Sequence, residues 1–166
     1  MNLLDVGCGT GTHLDLYQRY KCNLYGLDMS PSMLEIAKKR LGDTARLDSG
    51  SAASMPYENN KFDLIITMLS LHEMSPETRS AAITEMKRVL KEDGRILLID
   101  FNPGPIRPLQ GWISKAIIFF SELAAGREHF RNYRHFIAHG GVSTLTAQHD
   151  LRVEKEQILA GGTFAI

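Results

Sequence analysis

Residues 2–11 read Asn2-Leu3-Leu4-Asp5-Val6-Gly7-Cys8-Gly9-Thr10-Gly11. Leu3, Leu4 and Val6 form a short apolar run, the pattern of a buried strand, and the run stops at a cluster of glycines. Leu14, Leu16 and Tyr17 then return at helical spacing, which predicts a helix over 12–20. Strand, glycine turn and helix make the first half of a nucleotide-binding βαβ unit. Glycine serves such a turn twice. The turn is tight and favours positive φ, and a side chain would block a ligand from the backbone amides at the start of the helix.

The spacing sharpens this reading. Gly7, Gly9 and Gly11 give G-x-G-x-G, whereas a dinucleotide fingerprint reads G-x-G-x-x-G. Leu24-Tyr25-Gly26-Leu27-Asp28 reads as a second strand ending in an acid, and a carboxylate there can accept hydrogen bonds from both hydroxyls of a ribose.

Downstream the alternation continues. Ser30 and Pro31 are an N-cap and first helical residue, Met33, Leu34, Ile36 and Ala37 supply an apolar face, and Gly42 closes the helix. A third strand is expected over 44–48 and a polar loop over 49–60. The near-continuous apolar run 61–68 has the character of a central parallel strand. A long helix begins at Ser75-Pro76-Glu77, carries Ala82, Ile83, Met86, Val89 and Leu90 on one face, and ends at Asp93-Gly94, ahead of a fifth strand over 95–100. Strands alternating with helices predict an open, mostly parallel α/β sheet, whose ligands sit at the C-terminal ends of the strands. That rim gathers 5–11, Asp28, 49–56, 68–73 and 100–103.

After Phe101 the pattern changes. Asn102-Pro103-Gly104-Pro105 is a linker, and 109–125 is strongly apolar, with Trp112, Ile117, Ile118, Phe119, Phe120 and Leu123. With Lys115 and Glu122 inside, that run is too short and too charged for a membrane span. It reads first as a core-covering or substrate-capping helix and second as the wall of an apolar substrate site. A further helix is expected over 128–139. Residues 151–159 and 163–166 read as two closing strands, a hairpin around Gly161-Gly162.

Composition bounds the function. The chain has 166 residues, enough for one domain with a sizeable core. Nineteen basic and nineteen acidic residues balance, so bulk charge offers nothing to a nucleic acid or an acidic membrane. Cys8 and Cys22 are too few for a disulfide scaffold and read as packing residues. No basic stretch followed by an apolar run opens the chain, so no signal peptide is expected and the default location is cytoplasmic.

The string from Leu3 to Gly11, with Leu27-Asp28-Met29-Ser30, resembles the class I S-adenosylmethionine-dependent methyltransferases, and the likeness extends over 50–101. It implies a Rossmann-like fold: an open seven-stranded, mostly parallel sheet with helices on both faces and the last strand antiparallel. It implies one domain over 1–166, with 102–140 a helical cap or insert over the substrate side. Family members usually carry one or two helices ahead of the first strand; this sequence starts on that strand, and the expectation is a chain without them. The implied donor is S-adenosylmethionine, leaving S-adenosylhomocysteine. Asp5 would anchor the loop near the methionine part, the backbone of Gly7, Cys8 and Gly9 would approach methionine and ribose, Asp28 would take the ribose hydroxyls, and Met29 would pack on adenine. Gly50-Ser51-Ala52 occupies the place of a usual Gly-Asp-Ala, so Ser51 stands where the acid that contacts adenine is expected, with Asp48 as an alternative. Met68 and the residues after it would face the sulfonium end. The tail over 108–126 and 133–137 looks most like the quinone-biosynthesis C-methyltransferases and their small-molecule relatives.

Methyl transfer from a sulfonium is an in-line displacement that needs positioning and no protein nucleophile. A general base is needed only where the acceptor loses a proton, and His72 is the candidate, ahead of Glu73 and Asp100. Tyr133 and Arg134 are further candidates to meet an acceptor. Phe119, Phe120, Phe130 and Phe136 read as core. No metal is expected: His135 and His139 are spaced i, i+4, but no third ligand stands out beyond His129 or His149. The leading reading is a methyltransferase acting on a small molecule, with an apolar acceptor suggested by 109–125 and the oligomeric state left open. Two alternatives stay open: a cofactor-binding regulatory module without turnover, and an NAD-dependent oxidoreductase.

Overall fold

A computed structural model describes residues 1–105 and 110–166. Among these the strands are β1 (Asn2–Val6), β2 (Asn23–Asp28), β3 (Ala45–Ser49), β4 (Phe62–Met68), β5 (Leu90–Phe101), β6 (Ile158–Leu159) and β7 (Phe164–Ala165), in the order β3-β2-β1-β4-β5-β7-β6. β1 pairs in parallel with β2 and β4, and β2 with β3, while β7 is antiparallel to both β5 and β6. The mostly parallel seven-stranded sheet with an antiparallel last strand is therefore present. The chain forms two compact units, residues 1–68 with 81–97, and residues 69–80 with 98–166.

The first unit is built on β1. Leu3, Leu4 and Val6 are fully buried, as a strand covered on both faces requires. Helices α1 (Thr12–Tyr17) and α2 (Pro31–Leu41) join β1 to β2 and β2 to β3. Leu14, Ala37 and Leu41 from these helices pack with Leu3, Leu24 and Ile66 into one core. Each such leucine taken fully from water contributes about 1.5–3 kcal/mol before chain entropy is charged against it. Ser30 caps α2, its hydroxyl accepting from the Met33 amide, and Pro31 occupies the first helical position.

Helix α1 is shorter than its spacing predicts. It stops at Tyr17 because Cys22 Sγ lies 3.7 Å from the carbonyls of both Tyr17 and Tyr20 and closes the turn that a longer helix would have used. Helix α3 (Pro76–Val89) likewise ends before Asp93-Gly94. The carbonyls of Arg88 and Val89 accept from the amides of Asn60 and Lys61, so the chain entering β4 terminates the helix and β5 starts at Leu90.

In the second unit a 3-10 turn (Leu71–Glu73) precedes helices α4 (Gln110–Ala124), α5 (Arg127–Ala138) and α6 (Gly141–Gln148). The sequence reading has no helix at α6; Gly140 takes a left-handed N-cap conformation, and Val142 and Leu145 bury one face. The strand expected over 151–159 is reduced to Ile158–Leu159, because Arg152, Glu154, Lys155 and Glu156 leave 151–157 solvated. The hairpin around Gly161-Gly162 is present, closed by reciprocal bonds between Gln157 and Ile166. Leu109, where the expected apolar run begins, and Pro108, where the tail likeness begins, lie outside the described residues. No described helix is long and apolar enough to cross a membrane.

Candidate functional site

The glycine loop of the first unit is tied to the end of β2. The amides of Gly7 and Cys8 both donate to the Leu27 carbonyl, the Gly9 amide donates to Asp28 Oδ2 at 2.7 Å, and the Gly11 amide donates to the Cys8 carbonyl. These four amides therefore fix the loop. What the glycines offer is close approach. Gly9 has φ +50°, which favours glycine, and a Cβ there would meet open space. Gly11 is constrained differently: a Cβ would lie 2.8 Å from Leu41 Cδ1, so α1 and α2 close only without one.

Asp28 stands at the centre of this cradle. Its Oδ1 accepts from the Ser30 amide at 2.8 Å, so the glycine loop and the turn after β2 meet at one carboxylate, while its backbone carbonyl accepts from the Gly50 amide. Each carboxylate oxygen keeps lone-pair capacity for a further donor. Met29 beside it is 69 % exposed, a thioether face open to a flat ligand. Ser51 Oγ accepts from the Ala53 amide, and Ala52 is buried below it. Asp48, the alternative for the adenine contact, is drawn into an ion pair with Arg46 at 3.0 Å. Met68, half-buried at the end of β4, closes the unit's list of expected residues.

The loop over 50–57 has a support that the sequence does not announce. Arg88 donates to the carbonyls of Met55 and Tyr57 and to Glu85, and Glu85 accepts from the Met55 amide at 2.7 Å. Arg88 and Glu85 sit near the end of α3, where the sequence reading assigns no site residue.

Asp5 is fully buried, and among the described residues neither of its oxygens has a hydrogen-bond donor. Burial, helped by the Asp28 charge, pushes its carboxyl up to about 7. Cys8 is buried in the core, and burial together with Asp5 and Asp28 drives its thiol far above the ordinary range, so it is an inert packing residue.

The second unit gathers a different constellation. Asp100 is fully buried at the end of β5. Its Oδ2 accepts from the amides of Leu71 and His72, and its Oδ1 accepts from the Phe101 amide and lies 2.7 Å from His72 Nδ1. Arg79, also buried, donates to the Leu71 and Met74 carbonyls and locks the turn that carries His72. The other ring nitrogen, His72 Nε2, faces Glu122 Oε2 of α4 at 3.5 Å, and the same oxygen meets His129 Nε2 of α5 at 2.5 Å. Burial pulls the His72 imidazole down, but the hydrogen bond and charge of Asp100, with Glu122 and Glu73, outweigh it and leave the group raised. Glu73 is raised, mainly by burial, and its carbonyl takes the Asn132 side chain.

His72 is 2 % exposed with both nitrogens turned to carboxylates, so it sits as a buried, oriented imidazole. Of the aromatic residues expected in the core, Phe136 is buried under the Arg79 guanidinium, but Phe119 and Phe120 are exposed. Tyr133 is buried against Phe101, and Arg134 is exposed. His135 and His139 stack ring on ring at 3.8 Å and do not join the other histidines. Glu122 and His129 were missed as a pair because they lie on separate helices; the lone acid in an apolar helix was their one sequence signal.

Comparison with known proteins places the chain. A family model described as a methyltransferase domain matches residues 4–98, which takes in the glycine loop, Asp28, the 50–57 loop and β4. The chain belongs to the class I S-adenosylmethionine-dependent methyltransferases. A demethylmenaquinone methyltransferase of Thermotoga maritima is 30 % identical over 162 residues, covering 93 % of this chain and 68 % of that protein. An uncharacterized methyltransferase of Bacillus subtilis is 32 % identical over 102 residues, covering 59 % of this chain and 40 % of the relative. The chain spans under half the length of several such curated relatives. The PH0226 protein of Pyrococcus horikoshii superposes with a TM-score of 0.74 at 18 % identity, covering 99 % of this chain and 78 % of that one, and shows the same fold.

Proposed function

We propose that this methyltransferase-family chain transfers a methyl group from S-adenosylmethionine to a small-molecule acceptor. The observation that carries the reading is the Asp28 cradle, where the amides of Gly9 and Ser30 hold a carboxylate with spare acceptor capacity, the Gly50 amide is held by the same residue's carbonyl, and open space lies at Gly9. Asp28 takes the ribose hydroxyls, the Cα faces of Gly7 and Gly9 and the backbone of Cys8 line the approach, Met29 and Ala52 flank the base, and Ser51 offers it a hydroxyl. The two undonated oxygens of Asp5 fit the ammonium of the methionine part, which would supply the donors and the positive charge this acid lacks. Met68 is assigned to the methyl end. The donor supplies an activated methyl on a sulfonium; the protein's share is to bind, orient and exclude water.

The acceptor is proposed to be apolar. Relatives named for demethylmenaquinone and for ubiquinone/menaquinone biosynthesis support a small, apolar substrate, and the apolar helix α4 (Gln110–Ala124) is assigned to recognise it. His72 was the expected base. Its burial between carboxylates supports a positioning role instead, with Asp100 fixing the ring.

Calorimetric titration with S-adenosylhomocysteine beside NAD tests the reading. Micromolar binding of the former, weakened about thirtyfold or more in Asp28→Ala (about 2 kcal/mol, the value of charge-assisted hydrogen bonds), is expected. Equal binding by the variant, or tighter binding of NAD, would overturn it. Radiolabelled methyl transfer to a panel of apolar phenols and quinols then separates an enzyme from a binding module.

A further inference from the structure

Helix α4 is inside out. Trp112, Ile113, Ile117 and Phe120 are exposed, Phe120 at 67 %, while its acid, Glu122, is 6 % exposed. A carboxylate in such a place needs a strong partner, because an unpaired buried charge costs several kcal/mol. Its surroundings are two imidazoles. Glu122 Oε2, His129 Nε2 and His72 Nε2 lie within 4.8 Å of one another. Asp100 accepts from His72 Nδ1, so whenever Nε2 gives up its proton the ring stays fixed with that nitrogen's lone pair aimed at Glu122. A buried carboxylate oxygen 3.5 Å from a fixed imidazole nitrogen, with a second imidazole on the same oxygen, is a place built for a cation.

We propose that His72, Glu122 and His129 form a site for a divalent transition-metal ion of the zinc class, coordinated by His72 Nε2, Glu122 Oε2 and His129 Nε2. Two imidazoles and one carboxylate are a donor set of catalytic zinc, with the fourth position left to water or substrate. Bonds of about 2.0–2.1 Å at tetrahedral angles put ligand atoms roughly 3.3 Å apart. The His72–Glu122 separation of 3.5 Å already matches that spacing; the His129–Glu122 contact of 2.5 Å must open by rotation of the half-exposed His129 ring. Asp100 behind His72 completes the carboxylate–histidine–metal arrangement, itself held by the amides of Leu71, His72 and Phe101. On binding, the Nε2 proton of His72 and the proton between His129 Nε2 and Glu122 Oε2 would leave to solvent, and both rings would bind as neutral imidazoles through Nε2. The ion ties the turn after β4 to α4 and α5. The stacked His135–His139 pair takes no part.

The test is metal uptake by the purified chain, independent of methyl transfer. The protein is stripped with EDTA and titrated with ZnCl2 by calorimetry and with CoCl2 by visible absorption. Expected are one ion per chain, the visible d–d bands of four-coordinate Co2+, and a rise in melting temperature with Zn2+. His129→Ala, at a partly exposed position that leaves the core intact, and Glu122→Gln are each expected to weaken Zn2+ at least tenfold, while His135→Ala leaves it unchanged. No uptake by the unaltered chain, or uptake lost in His135→Ala and kept in His129→Ala, would overturn the proposal. In the former case the cation between His72 and Glu122 is a proton.

Discussion

Each unit of this protein is organised on a buried aspartate, and the two are treated oppositely. Asp5, in β1, has no donor on either oxygen among the described residues, and burial pushes its carboxyl up to about 7. Asp100, in β5, is equally buried, yet both of its oxygens are filled by backbone amides and by His72. A satisfied acid is scaffold: its charge is spent on holding a turn and a ring in place. An unsatisfied acid keeps an unspent capacity, and its energetic cost falls when a cationic ligand arrives.

The largest effect should come from removing the satisfied acid. Asp100→Ala strands the amides of Leu71, His72 and Phe101 together with the His72 ring, and breaking such a buried charged network costs about 3–5 kcal/mol. Urea unfolding should show that loss; a variant as stable as the parent would mean that Asp100 is not structural.

Asp5→Asn should act through pH. An acid whose native carboxyl titrates near 7 rather than 3.8 leaves the folded state holding the extra proton between those values. Stability therefore declines as pH rises from about 4 to about 7 and levels off above, by an amount on the order of 4 kcal/mol from this group. The variant, neutral throughout, should lose that component of the slope. Parallel curves for parent and variant, from denaturant unfolding across pH 4–8, would remove the contrast with Asp100.

The smallest change is a gain. Ser51→Asp restores an acid where the family pattern has one, beside a loop already fixed by Arg88 and Glu85. Binding of S-adenosylhomocysteine should tighten by about fivefold, close to 1 kcal/mol for one added hydrogen bond. Unchanged affinity would place the adenine edge away from Ser51.

The first unit was readable because its information is local. Leu3 to Gly11 specifies strand, turn and close approach within nine consecutive residues, and Asp28 follows at the next strand end. Misreadings there were of boundaries: Cys22 ended α1 early, and residues 60–61 ended α3 at Val89. In the second unit the helix after Gly140 was hidden by glycines that act as a left-handed cap, and apolar Phe119 and Phe120 were assigned to a core they do not enter.

The sequence alone determined the alternating α/β architecture, the glycine loop, its ribose acid and the family, since hydrophobic period and turn chemistry are written along the chain. Tertiary structure alone decided that the loop amides bind Leu27 and Asp28, that Asp5 is left without donors, and that Asp100, His72, Glu122 and His129 converge. Those facts depend on the folded positions of residues as far apart in the chain as 72 and 129, which no periodicity encodes.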